Sequence, residues 1–451
     1  MKLLLVSPTS PLWRASAPGA YRGPRAFRFS MLSSLCVAAA MPPGVETRIV
    51  DEDVEPVDFD ADADLVGVSF MTCNAPRAYA IADGFRRRGK VVIAGGYHPT
   101  FLPEEAARHF DAVCVGEAEA SVPGMLGDLE AGRLRGIYRG EPGSLAGLKV
   151  PDRSLLRRGA YIVPDAIQAT RGCPLRCTFC SVAAFCRHTF RTRPVDEVID
   201  ELTRLGRRVI FVDDNIVGDR GYALELFARM APLRKQWCGQ SSVRIADDPR
   251  LLEAAARSGC IALFLGLESL SEGNLGAWHK TTCRAHDYAR AITSLHSAGI
   301  GVYAGFVFGM DDDDATTFER TLAFLESARV DVLQSTILTP FPGTPLFEEM
   351  DRQGRIRTRD WAWYDFGHVV FEPRHLSPEA LLAGASWVES RFNSGTAAWR
   401  RIVRAFGYMR PSAVVGAMMP LSLGYVARSR AYGVREQARL HRRVGPQPVP
   451  A

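Results

Sequence analysis

The sequence predicts an α/β protein in three parts: a doubly wound (Rossmann-like) domain, a partial (β/α)6 barrel and a mostly helical C-terminal tail. Two successive strand–helix series carry the first two parts. The third rests on the final 80 residues, which lose the strand signal and turn helical and arginine-rich.

In the first series KLLLV (2–6), TRIVD (47–51), LVGVSF (65–70), VVIAGG (91–96) and AVCVG (112–116) read as buried strands. Their near-continuous apolar character is that of parallel strands covered on both faces. Between them APRAYAIADGFRRRG and PEEAARHF are helical in period, with Pro and Gly at their ends. A ligand of such a sheet sits beyond the strand C-termini, which here means SPTSPLW, SFMTCNA, GGYHPTF and GEAEAS. No G-x-G-x-x-G follows the first strand, so a nicotinamide dinucleotide is disfavoured.

Breaker-rich RGEPGS and KVPDRS mark a connector. The second series has strands IQAT (167–170), VIFVDD (209–214), VRIAD (243–247), ALFLGLES (262–269), VYAGFVFG (302–309) and VLQSTILTP (332–340), separated by amphipathic helices. Its chemistry belongs at the strand C-termini. The expected divisions are a first domain at 1–135, a connector at 136–166, the barrel at 167–345 and the extension at 346–451.

Composition narrows the function. The chain has 451 residues, 47% apolar and 23% charged, with a net charge of +5. That is ordinary globular material with no basic-aromatic signature for nucleic acid. Ten cysteines in so long a chain, with no secretory leader, point to a reducing cytoplasm rather than a disulfide scaffold. No apolar run is long enough to span a bilayer.

The segment RGCPLRCTFC (171–180) concentrates three of these cysteines, Cys173, Cys177 and Cys180, just after the first barrel strand. Cubane iron–sulfur clusters are normally held by four thiolates. Three leave one iron open to an outside ligand. A zinc knuckle completed by Cys186 or His188 is the competing reading, but no second Cys-x2-Cys pair follows. Cys186, Cys238, Cys260 and Cys283 read as small apolar packing residues.

The C-x3-C-x-Φ-C spacing of CPLRCTFC resembles that of the radical S-adenosylmethionine superfamily, and later landmarks agree with it. FVDDN (211–215) resembles the turn that receives the methionine amino group, GLES (266–269) the segment that meets the ribose, and GVYAGFVFG (301–309) the strand that supports the adenine. The resemblance implies that Cys173, Cys177 and Cys180 bind [4Fe-4S] and that the open iron chelates S-adenosylmethionine. One electron, from a donor such as flavodoxin or ferredoxin, then gives a 5′-deoxyadenosyl radical. Asp213, Asp214, Ser242, Arg244, Glu268 and Gly305 are the expected S-adenosylmethionine contacts. Asp213 and Asp214 could instead cap the next helix. Glu268 would be costly to bury without a partner, and Arg244 suits a carboxylate.

A doubly wound domain ahead of such a barrel resembles two families. Methylthiotransferases hold a second cluster on three loop cysteines; here Cys73 fits, whereas Cys36 falls in a helical segment and Cys114 in a strand. Cobalamin-binding radical enzymes fit better, because GGYHPTFLPEEA (95–106) with AVCVGEAEAS (112–121) is similar to their paired signature. That resemblance implies cobalamin contacts from Gly95, Gly96, His98, Gly116 and Glu117, the glycines allowing close backbone approach. No Asp-x-His occurs, so a histidine on cobalt is not expected.

DWAWYDFGHVVFEPRHLSPEAL (360–381) is similar to the tail of the subgroup containing hopanoid C-methylases. The expected reaction is methylation of an unactivated carbon on a small or lipid-like substrate. By resemblance, one S-adenosylmethionine methylates the cobalamin and a second supplies the radical. A radical cyclisation or rearrangement is the main rival, and a non-catalytic cobalamin carrier or sensor the lesser one. From Arg400 to Arg443 ten arginines and one acid flank the apolar stretch 411–427. Two readings follow: a peripheral anchor at the inner leaflet, or a helix that closes the barrel.

Overall fold

The computed structural model describes residues 1–10, 28, 30–134, 136–280 and 284–431, and side chains as far as Ala427. Cys283, positions 11–13 of the first loop and the arginines beyond 431 lie outside the described residues.

The first sheet is wholly parallel. Its strands are β1 (Lys2–Ser7), β2 (Glu46–Asp51), β3 (Leu65–Ser69), β4 (Val91–Gly95), β5 (Ala112–Val115) and β6 (Gly136–Arg139), in the order β2-β1-β3-β4-β5-β6. β6 was not expected from the sequence. It is a four-residue edge strand, GIYR, with no buried residue, so it lacks the apolar signal of its neighbours. Alternate residues of the central strands feed two cores. Leu4, Val6, Val66 and Val68 pack with helix Ala75–Arg86, while Leu3, Leu5, Leu65 and Ile93 pack with helices Leu32–Ala40 and Ala118–Glu130. Strand order reverses between β1 and β3, which opens a crevice at their C-terminal ends.

The second unit begins differently from its prediction. IQAT divides into β7 (Ala166–Ile167), which joins the barrel, and β8 (Thr170–Gly172), which pairs antiparallel with β9 (Phe190–Thr192). The barrel sheet continues with β10 (Arg208–Phe211), β11 (Gln236–Ser241), β12 (Cys260–Glu268), β13 (Gly301–Phe308) and β14 (Val332–Ile337), ordered β14-β13-β12-β11-β10-β7 and parallel throughout. VRIAD is not the third strand. Val243–Asp247 forms a 3-10 helix, and the strand is the more polar QWCGQS before it, anchored by buried Trp237 against Phe211 and Phe227 at 5.4 and 5.3 Å. The apolar signal failed there because one large side chain holds the strand.

After the barrel the chain returns to the first domain. Trp361, Trp363 and Tyr364 pack into the core on its helix Ala75–Arg86 face, and Trp361 Nε1 donates to Glu105 Oε1 at 2.9 Å. Helices Gly395–Ala405, Pro411–Ala413 and Met419–Ala431, with a π-helical turn at Val414–Met418, then cross the strand N-termini. Met409 fills the space below Gly301, and Gln236 Nε2 donates to Ser412 Oγ at 2.9 Å. Ala413, Val414, Met418, Tyr425 and Val426 are buried. The apolar stretch 411–427 therefore closes the barrel, at the end opposite its chemistry, and is not itself a free anchor.

Candidate cofactor site between the two sheets

The triplet leaves β8 in a loop that enters the short helix Ser181–Phe185. Gly172, at φ +86°, makes the turn: a Cβ there would lie 2.1 Å from the Thr189 carbonyl oxygen. Asp213, fully buried, accepts from the Ala169 N–H at 3.1 Å and from Thr170 Oγ1 at 2.7 Å. Burial pushes its carboxyl up to about 7. Asp213 therefore braces the root of the cluster loop and does not face the cavity, contrary to the expectation of a cofactor contact. Asp214 does face it, accepting from the Gly172 N–H at 3.2 Å, and burial raises it to about 6.

Burial raises the thiols of Cys173, Cys177 and Cys180, that of Cys177 to about 12. Unmetallated, they stay protonated; iron would have to displace those protons. Among the described residues no three His, Cys, Asp or Glu side chains meet in the geometry of a single ion. The loop offers three unbridged thiols, and thiolates are the ligands of iron–sulfur clusters. Phe179 of the motif packs on Trp278 at 4.7 Å, and Lys280 lies 5.9 Å above the Phe179 ring. Lys280 pairs with Glu268, which closes β12 with φ +66°, both side chains nearly buried. Glu268 thus has a partner, and Lys280, in a loop without periodicity, gave no signal in the sequence.

Ser242 lies at the C-terminal end of β11, its N–H donating to Asn215 Oδ1 at 3.1 Å. Arg244 is exposed on the following 3-10 helix, not on a strand, so it is not drawn into the site. Gly305 faces the Phe264 ring, whose Cζ would lie 2.7 Å from a Cβ. Its lack of a side chain makes room for that ring.

A cavity of about 460 Å³ joins the two units. Gly95, Gly96, Gly116, Glu117 and Tyr97 line it from the first sheet, and Gln168, Arg171, Phe185, Cys186 and Asp214 from the barrel. It continues as an apolar slot between the sheet and its helices, past Leu3, Leu5, Gly67, Ile93 and Val122. Gly96, at φ +101°, brings the chain against Phe70, with a Cβ 2.8 Å from its carbonyl oxygen. His98 is not in the lining. Its ring is fully buried on the other side, 5.5 Å from Trp361, with Nε2 3.0 Å from the Tyr79 hydroxyl. Tyr97, one residue earlier, points inward and packs on Phe185 at 4.5 Å. No histidine or lysine lines the cavity among the described residues.

Glu117 joins the two units. It pairs with Arg171 at 2.9 Å and with Arg191, while Arg171 also reaches Glu119 at 2.6 Å. Burial alone would raise the Glu117 carboxyl, but the Arg191 and Arg171 guanidiniums hold it below its ordinary range. Sequence reasoning expected Glu117 as a cofactor contact and missed both arginines.

Family models match both halves of the chain: B12 binding domain over residues 24–126 and Radical SAM superfamily over 167–325. Over 418 residues, 89% of each chain, it is 33% identical to the bacteriochlorophyllide d C-12(1)-methyltransferase of Chlorobaculum tepidum. The chain belongs to the cobalamin-binding radical S-adenosylmethionine methyltransferases. Identity is 28% over 360 residues, 75% of this chain and 79% of the relative, to the bacteriochlorophyllide d C-8(2)-methyltransferase of the same bacterium. It is 27% over 340 residues, 71% and 64% of the two chains, to the hopanoid C-2 methylase of Rhodopseudomonas palustris. The fold matches that of TsrM from Kitasatospora setae, solved with cobalamin and a [4Fe-4S] cluster, with TM-score 0.65 at 16% identity over 91% and 89% of the two chains.

This methyltransferase is therefore a C-methylating enzyme using [4Fe-4S], S-adenosylmethionine and cobalamin, as the motifs led one to expect. Its slot and glycine-lined mouth suit a broad flat ligand with a narrow tail, and the thiol loop suits a cluster. No helix among the described residues is long and apolar enough to cross a membrane.

Proposed function

We propose that the enzyme methylates an alkyl side-chain carbon of a chlorin-type cyclic tetrapyrrole. Two relatives that align over most of the chain are named for methylating bacteriochlorophyllide d, one at C-12(1) and one at C-8(2). The structural observation behind the reading is a cavity shared by the first-domain strand ends and by residues beside the cluster loop. In this reading a substrate carbon held in it would meet the methyl source from the first-domain side and the radical source from the cluster-loop side.

In this reading Cys173, Cys177 and Cys180 hold the cluster, and Gly95, Gly96, Gly116 and Tyr97 flank the corrin. Asp214, Ser242 and the Glu268–Lys280 pair face S-adenosylmethionine. The bound groups supply the methyl group and the hydrogen-abstracting radical, and the protein orients them and excludes water. Tyr97 and Phe185 seal the wall between the sheets. Burial holds the Tyr97 phenol far above its ordinary range, so it stays neutral. Flavodoxin or ferredoxin is the proposed electron donor, and the proposed location is the cytoplasm at the inner face of the membrane.

The test is anaerobic turnover of the reconstituted holoenzyme with bacteriochlorophyllide d or with a hopanoid, read by mass spectrometry. A methylated chlorin supports the substrate class. A methylated hopanoid alone, or neither product, overturns it.

A further inference from the structure

The end of the barrel remote from the cofactors carries a surface that the chemistry does not use. Helix Gly395–Ala405 buries Ala398, Arg401, Ile402 and Ala405. Its other face presents Trp399, 62% exposed, and Val403, 53% exposed, continued at the C-cap by Phe406, 47% exposed. The spacing of four and then three puts these three residues in one stripe. Val415 and Leu423 also stand exposed, on the segments packed beside it.

Among the described residues the exposed cations near this stripe form no ion pairs. Arg400 and Arg410 are exposed on the same tail, and Arg404 donates to the backbone carbonyls of Arg329 and Val330. Arg207, Arg208 and Arg234 sit where β10 and β11 begin, with Arg208 donating to the Gly416 carbonyl at 3.5 Å. Among the described residues no acid forms an ion pair with any of these six. At the opposite end Arg153, Arg171, Arg191 and Arg193 are all paired with glutamates. The sequence continues in the same sense, with six arginines and one acid from Arg428 to Arg443.

We infer that this underside docks on an anionic membrane leaflet, with Trp399, Val403 and Phe406 entering the headgroup layer and the arginines facing lipid phosphates. An aromatic and aliphatic stripe ringed by unpaired cations is the composition of an interfacial element. An acidic redox partner would fit the charge but not the place. β12 spans nine residues, so its two ends lie about 26 Å apart at roughly 3.3 Å per residue, and the cluster loop is at the far one. The cavity also opens at that far end, so the leaflet holds the enzyme in place and does not feed the site directly. Docking needs neither turnover nor any one substrate, so its failure and the failure of the chlorin reading are separable.

The test is co-sedimentation of full-length holoenzyme with vesicles of phosphatidylcholine alone or mixed with phosphatidylglycerol. Binding to the mixed vesicles alone is expected, falling about fivefold for each interfacial arginine removed in Arg400→Gln and Arg410→Gln. In Trp399→Ser with Phe406→Ser, quenching of tryptophan fluorescence by brominated lipid should be lost. All four positions are exposed, and retained cobalamin reports that the variants are folded. Equal vesicle binding by wild type and variants, or binding by neither, overturns the inference. So does full displacement by RNA with no brominated-lipid quenching, which would mark a general polyanion site.

Discussion

Replacing Arg171 by Met should loosen the joint between the cobalamin domain and the cluster loop. The Arg171 side chain is 13% exposed and pairs with Glu117, 10% exposed, and with Glu119, 26% exposed. It also donates to Gln168 Oε1 at 3.0 Å. Removing one partner of a buried ion pair costs about 3–5 kcal/mol, because the remaining charge is stranded. Glu117 keeps Arg191, and Glu119 is a quarter exposed. The low end applies, about 3 kcal/mol, or on the order of 100-fold in a local opening equilibrium. Native-state hydrogen exchange is the assay, read at β8 and β9 in wild type, Arg171→Met, Glu119→Gln and the double variant. The double variant should lose less than the sum of the singles, since they share one interaction. The depressed Glu117 carboxyl fixes the pH dependence. Its contribution is full above its unfolded value and is lost as pH falls through the lower folded value, so the effect of the substitution should be flat from pH 6 to 8. Unchanged protection at β8 and β9, or strict additivity, would refute the latch.

Four other variants test separate parts of the site. Gly96→Ala sets a Cβ 2.8 Å from backbone oxygen at φ +101° and should cost several kcal/mol, lowering the cobalamin retained on gel filtration while iron content holds. Gly172→Ala collides with the Thr189 carbonyl at 2.1 Å; it should lower the iron bound per chain and leave cobalamin in place. Changing Cys173, Cys177 and Cys180 together to Ala should abolish the iron–sulfur absorption, whereas Cys186→Ser should keep it. Loss in the Cys186 variant would show that the ligand set is wrong.

Features set by local chemistry were legible in the sequence. Continuous apolar strands gave both sheets, and one dense cysteine triplet gave the cluster loop and the superfamily. Features that depend on distant partners were not. QWCGQS carries no strand pattern, and only Trp237 wedged between Phe211 and Phe227 makes it one. Asp213 and Asp214 are indistinguishable as a pair, and burial beneath the Thr170 and Ala169 donors assigns the first to structure. The GGYHP loop does not say which of two adjacent rings turns inward. Trp361, more than 250 residues later, claims His98 and leaves Tyr97 to the cavity. Lys280 and Arg191 become visible only beside Glu268 and Glu117.

The central claim is that one cavity brings cobalamin and radical chemistry together for C-methylation. Its most direct measurement is anaerobic turnover of bacteriochlorophyllide d with S-adenosylmethionine carrying a trideuteromethyl group, with and without cobalamin. The account predicts a product bearing the intact trideuteromethyl label, formed only with cobalamin. S-adenosylhomocysteine and 5′-deoxyadenosine should accumulate in equal amounts, one from each use of the cosubstrate. A labelled product without cobalamin, or a dehydrogenated or cyclised product carrying no label, would contradict it.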